Sequence, residues 1–178
     1  MTFRLADSLP AAVLKRIAAE RRDLLERLRT SSQLVVRSEI KRQQRLLSKR
    51  IEAYLDRGGG SCHLTNPAVS EIVVGALRHF DGTRYELHAW CVMPNHVHVV
   101  FRPLGENSLA AIVHSWKSFS AQRANRLLGR TGVFWQREYY DHLIRDGEQL
   151  AKAVRYVAKN PERARLRDWK WVAVYAQD

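Results

Sequence analysis

The sequence predicts an α+β fold of the ferredoxin-like type, a βαββαβ order with an antiparallel sheet, because strand and helix patterns alternate along its 178 residues. Residues 85–92 and 96–102 are apolar runs joined by the turn-forming pair Pro94-Asn95, which predicts a hairpin. Apolar side chains at helical spacing predict helices over 66–80 and 109–128. Short alternating runs at 1–5 and 139–145 predict the remaining two strands.

An inserted helical hairpin is predicted over residues 9–57, directly after the first strand. Ser8 is a candidate N-cap and Pro10 lies in the first turn, which fits a helix start. The polar run Thr30-Ser31-Ser32 breaks the helical pattern, and a second helix follows to about residue 56. We treat 1–178 as a single domain that carries this hairpin as an insertion.

The C-terminal part of the chain predicts one more helix and a packed end. Helical spacing over 149–160 stops at Pro161, which cannot continue a helix. The aromatic and valine-rich residues 169–175 are expected to pack against the body of the protein.

Charge is the strongest property of the composition. The chain has 30 Lys and Arg against 18 Asp and Glu, a net charge of +12 and a pI of about 10.3. An excess of this size is typical of proteins that bind polyanions, above all nucleic acid. Residues 9–57 hold thirteen Lys and Arg against six Asp and Glu, a net charge of +7. We therefore expect this hairpin either to grip nucleic acid or to be a solvated surface element.

The cysteine spacing and the hydropathy of the sequence indicate the cellular compartment in which the protein is expected. Cys62 and Cys91 have neither zinc-type nor redox-type spacing, and we expect both to be reduced, as in the cytoplasm. No secretory signal and no apolar run of membrane-spanning length is visible in the sequence. We expect a cytoplasmic protein without a membrane partner.

Two histidines on one strand predict a metal half-site. His96 and His98 flank Val97, and alternate residues of a strand point to the same face. Neutral imidazoles side by side can bind a divalent cation, although an HxH pair is also found on ordinary edge strands.

The last predicted helix carries residues that can complete this site. Tyr156 and Asn160 are four residues apart and so share one helix face. A phenol oxygen can attack a phosphodiester, and an amide oxygen can be the third ligand of a hard cation such as Mg²⁺ or Mn²⁺. The alternative for Tyr156 is a core aromatic. Tyr139, Tyr140 and His142 are the second choice of nucleophile and ligand.

Segments 91–98, 115–117, 134–145 and 156–161 together resemble the HUH single-tyrosine transposases. Within that group they are most similar to the REP-associated tyrosine transposases, which carry an IS200-like transposase domain. The resemblance extends over about 66–168, which it marks as the catalytic core. It implies that Tyr156 is the nucleophile and that His96, His98 and Asn160 hold Mg²⁺ or Mn²⁺. It also implies nicking and strand transfer of single-stranded DNA at hairpin or palindromic repeats through a 5′-phosphotyrosine.

Candidate DNA contacts combine cations for phosphate with aromatic rings for bases. In the core and in the inserted hairpin they are Trp116, Lys117, Arg123, Trp135, Gln136, Arg137, Arg42, Arg45, Lys49 and Arg50. The alternative for Trp116 is helix-core packing. The alternatives for the whole protein are a catalytically vestigial, basic nucleic-acid-binding protein and a nuclease that acts on RNA. We expect a monomer, with a dimer as the alternative.

Overall fold

A computed structural model describes residues 1–30 and 34–175 of the chain. The predicted break at Ser31 and Ser32 lies outside the described residues, and α1 ends beside it. A 3-10 turn, His63–Thr65, precedes the third helix. The strands and helices are β1 Thr2–Arg4, α1 Ala11–Thr30, α2 Leu34–Leu55, α3 Pro67–Arg78, β2 Tyr85–Val92, β3 His96–Pro103, α4 Leu109–Leu127, α5 Gly147–Ala158, α6 Asn160–Arg163 and β4 Val172–Val174.

The four strands form one antiparallel sheet in the order β1-β3-β2-β4. On the free edge of β1 the chain returns at residues 134–140, where Thr2 and Tyr140 exchange backbone hydrogen bonds of 2.7 and 2.9 Å. The chain order along the sheet, with this returning segment beside β1, is that of the split βαβ plan. The predicted fold class is thus confirmed.

One predicted strand differs from the structure. Residues 139–145 do not form a strand. The returning segment 134–140 instead makes two isolated bridges, from Trp135 to Leu5 and from Tyr140 to Thr2, and only the second of them lies within the predicted strand. The bridge at Thr2 is already at the far end of β1, so residues 141–145 have no backbone partner on that strand. Their alternating pattern belongs to a largely exposed segment, in which Leu143 is 71% exposed.

Helices cover both faces of the sheet. Val97, Val99 and Trp90 face α3 and α4 in the larger core cluster. Cys91 and Val100 face the opposite side, where α5 packs through Val157. One helix on each face has a side-chain N-cap. Asn66 caps α3 by accepting a hydrogen bond from the Ala68 N–H at 3.0 Å, and Asp146 caps α5 by accepting one from the Gln149 N–H at 2.8 Å.

The C-terminal residues add the last strand, as expected from their composition. β4 pairs with β2 on the edge away from β1. The indole of Trp169 donates to the Val92 carbonyl at 2.8 Å. The predicted packing of 169–175 is therefore confirmed for the described residues of that segment.

The chain divides into two compact units, which are described separately: residues 1–6 with 61–178, and residues 7–60. The second unit is the helical hairpin α1–α2, held by buried Leu24, Ile40 and Leu47. An ion pair between Arg50 and Glu20 joins its helices. No helix among the described residues is long and apolar enough to cross a membrane.

Candidate active site

The two strand histidines lie on the α5 side of the sheet. His96 and His98 are 0% and 2% exposed, and Val97 between them packs into the opposite core. Their Nε2 atoms are 2.9 Å apart, with the ring planes at 88°. The prediction that both imidazoles share one face of the strand is confirmed.

Neighbouring polar groups fix the orientation of each ring. His96 Nδ1 is 2.7 Å from the Asn95 side-chain oxygen, which can only accept, so Nδ1 carries the proton and Nε2 keeps its lone pair. His98 Nδ1 is 2.8 Å from the Thr2 hydroxyl, which can donate or accept. In the protein alone His98 Nε2–H donates to His96 Nε2. When the His98 proton is on Nδ1 and is donated to Thr2 instead, the Nε2 atoms of both rings have lone pairs available.

Burial keeps both imidazoles neutral. It lowers the pKa of His96 from 6.5 to about 3. The pKa of His98 is held well below 6.5, first by burial and then by the charges of His96, the N-terminus and Arg163. At neutral pH both rings therefore are uncharged and each has one nitrogen with a lone pair, so no imidazolium has to lose its charge before a ligand binds.

Tyr156 on α5 lies against this pair. Its ring centroid is 5.6 Å from that of His98, at an interplanar angle of 88°. The side chain is partly buried, and one turn later Asn160 begins α6. The structure thus brings the predicted nucleophile beside one predicted ligand.

Asn160 shows the feature expected of a ligand without its partner. Its side chain is 0% exposed, and neither its Oδ1 nor its Nδ2 has a hydrogen-bond partner. Leaving a buried polar group unsatisfied costs about 1–3 kcal/mol, so native proteins rarely do so. The amide is therefore ready for a group that the protein itself does not supply.

The donor set fits a divalent cation. Two neutral imidazole nitrogens and one amide oxygen are borderline-to-hard donors, and Mn²⁺ accepts both kinds. Among the described residues no three His, Cys, Asp or Glu side chains cluster, and Asn160 is the third donor that the resemblance implies.

Lys117, Gln136 and Arg137 meet where α4 contacts the returning segment. The Lys117 ammonium donates to the carbonyls of Gln136 and Arg137 at 2.7 and 2.8 Å, and burial lowers its pKa. A cavity of about 210 Å³ lies beside this contact, lined by Ala110, Val113, His114, Lys117, Arg137 and Tyr139. Lys117 thus also has a structural role, because it ties the segment to the helix.

The two tryptophans proposed to stack on bases lie in the core. Trp116 is 1% exposed and its indole donates to the Tyr85 hydroxyl at 2.8 Å. Trp135 is 5% exposed and its indole donates to Ser120 at 2.9 Å. A buried ring has no free face for a base, so this placement corrects the expectation of stacking, and neither is retained as a DNA contact below.

The remaining predicted cations are on exposed surfaces. Arg123 is exposed on α4, with its guanidinium 5.2 Å from the Phe119 ring centroid. Four lie on the exposed side of α2 in the helical hairpin: Arg42, Arg45, Lys49 and Arg50. Arg42 pairs with Glu39 at 2.9 Å, and Arg50 pairs with Glu20.

The second-choice nucleophiles are in the returning segment. Tyr140 is 42% exposed and pairs through its backbone with Thr2, and Tyr139 lines the cavity beside Lys117. His142 is exposed in the following loop.

Three residues at the site were missed by the sequence reasoning: Thr2, Asn95 and Arg163. The Arg163 guanidinium lies 4.8 Å from the Tyr156 ring centroid. Asn95 directly precedes the histidine pair, and Arg163 is seven residues after Tyr156, two helical turns on, so both had a sequence signal. Thr2 had none, because 96 residues separate it from His98.

Fold and site together define a class of protein, in which two strand histidines face a helix bearing a tyrosine and, one turn on, an asparagine. A sequence model of the family described as IS200-like transposase matches residues 66–160. The match covers more than half of the chain, which therefore belongs to the IS200-like transposase family, as the resemblance predicted.

Two individual proteins are also similar to this chain. A protein of Haemophilus influenzae described as a REP-associated tyrosine transposase is 31% identical over 87 residues, 43% of this chain and 49% of the relative. The chain thus spans about half the length of that curated relative. A solved structure of a REP-associated tyrosine transposase bound to a REP hairpin is 20% identical, with a TM-score of 0.49, over 65% of this chain and 76% of that one.

Proposed function

We propose that this protein nicks and rejoins single-stranded DNA at hairpin or palindromic repeats, through a covalent bond between Tyr156 and a 5′-phosphate. Membership of the IS200-like family supports the reaction type. The observations that carry the assignment are the contact of the Tyr156 ring with His98 and, one turn further along the chain, the unpartnered amide of buried Asn160. The hairpin substrate is taken from the related transposase solved with a REP hairpin.

His96, His98 and Asn160 are the residues that would hold a divalent cation, Mg²⁺ or Mn²⁺. When bound, such a cation supplies positive charge that stabilises the charge developing on the scissile phosphate. The chain's own contribution is to keep both imidazoles neutral and oriented. The Asn95 side-chain oxygen accepts a hydrogen bond from His96 Nδ1–H, and the Thr2 hydroxyl is hydrogen-bonded to His98 Nδ1.

Tyr156 carries the covalent step. Its phenol oxygen attacks the phosphorus and loses its proton, the P–O3′ bond breaks, and the departing 3′-oxygen takes a proton to become a hydroxyl. One phosphodiester is exchanged for one phosphotyrosyl bond, so no oxidant or nucleotide cofactor is needed. Attack by a 3′-hydroxyl on the same phosphorus reverses the step and transfers the strand.

DNA binding is assigned to exposed arginines and lysines, together with half-buried Lys117. Arg137 and Lys117 line the cavity beside α4, and Arg123 lies further along that helix. The hairpin unit adds Arg42, Arg45, Lys49 and Arg50 within a segment of net charge +7. Arginine is suited to this role because its planar fork matches phosphate oxygens.

Covalent capture tests the proposal directly. The protein is incubated with end-labelled hairpin DNA that has a single-stranded flank, with Mn²⁺, and the products are separated under denaturing conditions. We expect a slowly migrating, protease-sensitive adduct that Tyr156→Phe abolishes while hairpin binding stays within a few-fold. Tyr139→Phe and Tyr140→Phe are matched controls that keep the adduct.

Two further experiments test whether adduct formation requires a divalent cation bound by the histidines. EDTA on the parent protein, and His96→Ala or His98→Ala in Mn²⁺, should each remove the adduct. An adduct that persists in Tyr156→Phe, or in EDTA, contradicts the proposal. Tight hairpin binding by the parent without any adduct indicates a catalytically vestigial binding protein instead.

A further inference from the structure

Arg163 is a charged residue near the proposed nucleophile to which the proposed reaction assigns no role. It ends the short helix α6, and its guanidinium carbon lies 4.8 Å from the centroid of the Tyr156 ring. Its charge also reaches His98, where it is one of the causes that keep the ring neutral. The side chain therefore lies against the proposed nucleophile, and its charge acts on the neighbouring His98 ring.

The charge of Arg163 is not neutralised by the protein. Among residues 1–30 and 34–175, no carboxylate forms an ion pair with it, although other exposed arginines, such as Arg102 with Glu86, do. Its side chain is exposed to solvent. The phenol ring that it contacts is neutral and offers no negative charge either. This corner of the site thus has a fixed positive charge and complements an anion.

The stacking of Arg163 on the Tyr156 ring leaves the N–H donors of the guanidinium free to bind a phosphate. A guanidinium over an aromatic ring uses its flat face, whereas its five N–H donors lie in its plane and point outward. Those donors match two oxygens of one phosphate in a bidentate arrangement. The contact that positions the Tyr156 ring is therefore compatible with a second contact to the group that Tyr156 attacks.

Resting on the function proposed above, we propose that Arg163 is a further catalytic residue, which grips the DNA phosphate that Tyr156 attacks and holds the phenol ring by stacking. Its charge acts on the phosphate oxygens as negative charge builds up on them. Removing one fixed donor of this kind commonly lowers the rate of the chemical step about 10²–10³-fold.

The test compares Arg163→Gln, Arg163→Lys and the control Arg167→Gln, an exposed arginine four residues further on. Single-turnover adduct formation is measured at saturating hairpin DNA with Mn²⁺. We expect a fall of about 100-fold or more for Arg163→Gln, partial activity for Arg163→Lys and a parent-like rate for Arg167→Gln. A loss that saturating DNA restores would reveal a binding contact only, and would overturn the catalytic role.

A second measurement does not depend on cleavage. Binding of a fluorescein-labelled hairpin with a single-stranded flank is followed by anisotropy in EDTA at several salt concentrations. Arg163→Gln should flatten the salt slope by about 0.7, the contribution of one single-strand phosphate, and Arg163→Lys should keep the slope. An unchanged slope for Arg163→Gln overturns the proposal whether or not the parent cleaves. If the parent binds without forming an adduct, the flattened slope still supports the phosphate contact, while the proposed nicking fails.

Discussion

The Nδ1 atom of His98 lies 2.8 Å from the hydroxyl of Thr2. The two residues face each other because β1 and β3 pair in a register that places Thr2 opposite His98. The first strand of the chain therefore sets the orientation of a histidine in the middle of the sheet. Partners of this kind orient a metal-binding ring and hold its proton on the nitrogen away from the metal.

Replacing Thr2 with Val should weaken cation binding without unfolding the protein. Valine keeps the β-branched shape and removes the hydroxyl, so the His98 Nδ1–H loses its hydrogen-bond acceptor in the form that binds the cation. We expect Mn²⁺ affinity, measured by isothermal titration, to fall about 10–100-fold. Thr2→Ser should restore most of the affinity. Thr83→Val is the matched control, since that hydroxyl donates to the Phe80 carbonyl at 3.0 Å, away from the histidines. Parent-like affinity in Thr2→Val would show that the hydroxyl does not orient the ring.

Replacing Asn160 with Leu should separate stability from cation binding. The buried amide has no hydrogen-bond partner, and an unsatisfied polar group costs about 1–3 kcal/mol. In EDTA we therefore expect Asn160→Leu to unfold in urea at a concentration no lower than the parent, while Mn²⁺ binding is lost. Tryptophan fluorescence reports this transition, because all five tryptophans lie in the unit that contains the site.

Asn160→Ala is a second variant, which removes the amide without adding the larger leucine side chain that could overpack the site. It should also lose Mn²⁺ binding, with a modest decrease in stability from the missing atoms. If both variants bind Mn²⁺ like the parent, Asn160 is not a ligand.

Much of this site could be predicted from the sequence, because its signals are local. The period of a strand put His96 and His98 on one face, and helical spacing put Tyr156 and Asn160 one turn apart. The Thr2 contact could not be predicted, since it depends on the register between strands far apart in sequence. The position of Trp116 in its helix did not show whether its ring would be buried or would bind a base. In the structure the ring is buried, because Tyr85 and Phe101 pack against it. The alternation at 139–145 predicted a strand, but β1 is too short to pair with it.

Acidification should destabilise the unit that holds the histidines. In the unfolded chain each histidine binds a proton below a pKa of about 6.5, whereas folding lowers the pKa of His96 to about 3. Between these values the unfolded state binds more protons, so the free energy of unfolding falls as the pH falls below about 6.5. For one such histidine the loss at pH 5 is about 2 kcal/mol.

The measurement is urea unfolding in EDTA at pH 7.5 and pH 5, followed by tryptophan fluorescence. The double variant His96→Gln/His98→Gln should show a smaller loss between the two pH values. Glu86 and Glu138, whose pKa values are lowered by hydrogen bonds from Arg102 and Gln136, also titrate in acid but do so in both proteins. An equal loss in parent and variant would mean that the histidines are not the groups that titrate.

Neutralising the α2 cations should reduce DNA affinity and its salt dependence together. The variant replaces Arg42, Arg45, Lys49 and Arg50 with Gln, and its control replaces four exposed cations of α1, namely Lys15, Arg16, Arg21 and Arg22. Each cation that contacts a single-strand phosphate contributes about 0.7 to the salt slope. Arg42 and Arg50 already pair with Glu39 and Glu20, so we expect their share to be smaller than that of the other two.

The rate of adduct formation at saturating DNA should not change in this variant, because none of the four residues belongs to the histidine and tyrosine site. The control variant carries the same loss of charge on α1, so a general effect of net charge would flatten both slopes equally. A flatter slope in the α2 variant alone assigns the contact to that helix. Equal slopes in the parent and the α2 variant would make the hairpin a solvated surface element, and its net charge of +7 would then have no part in gripping DNA.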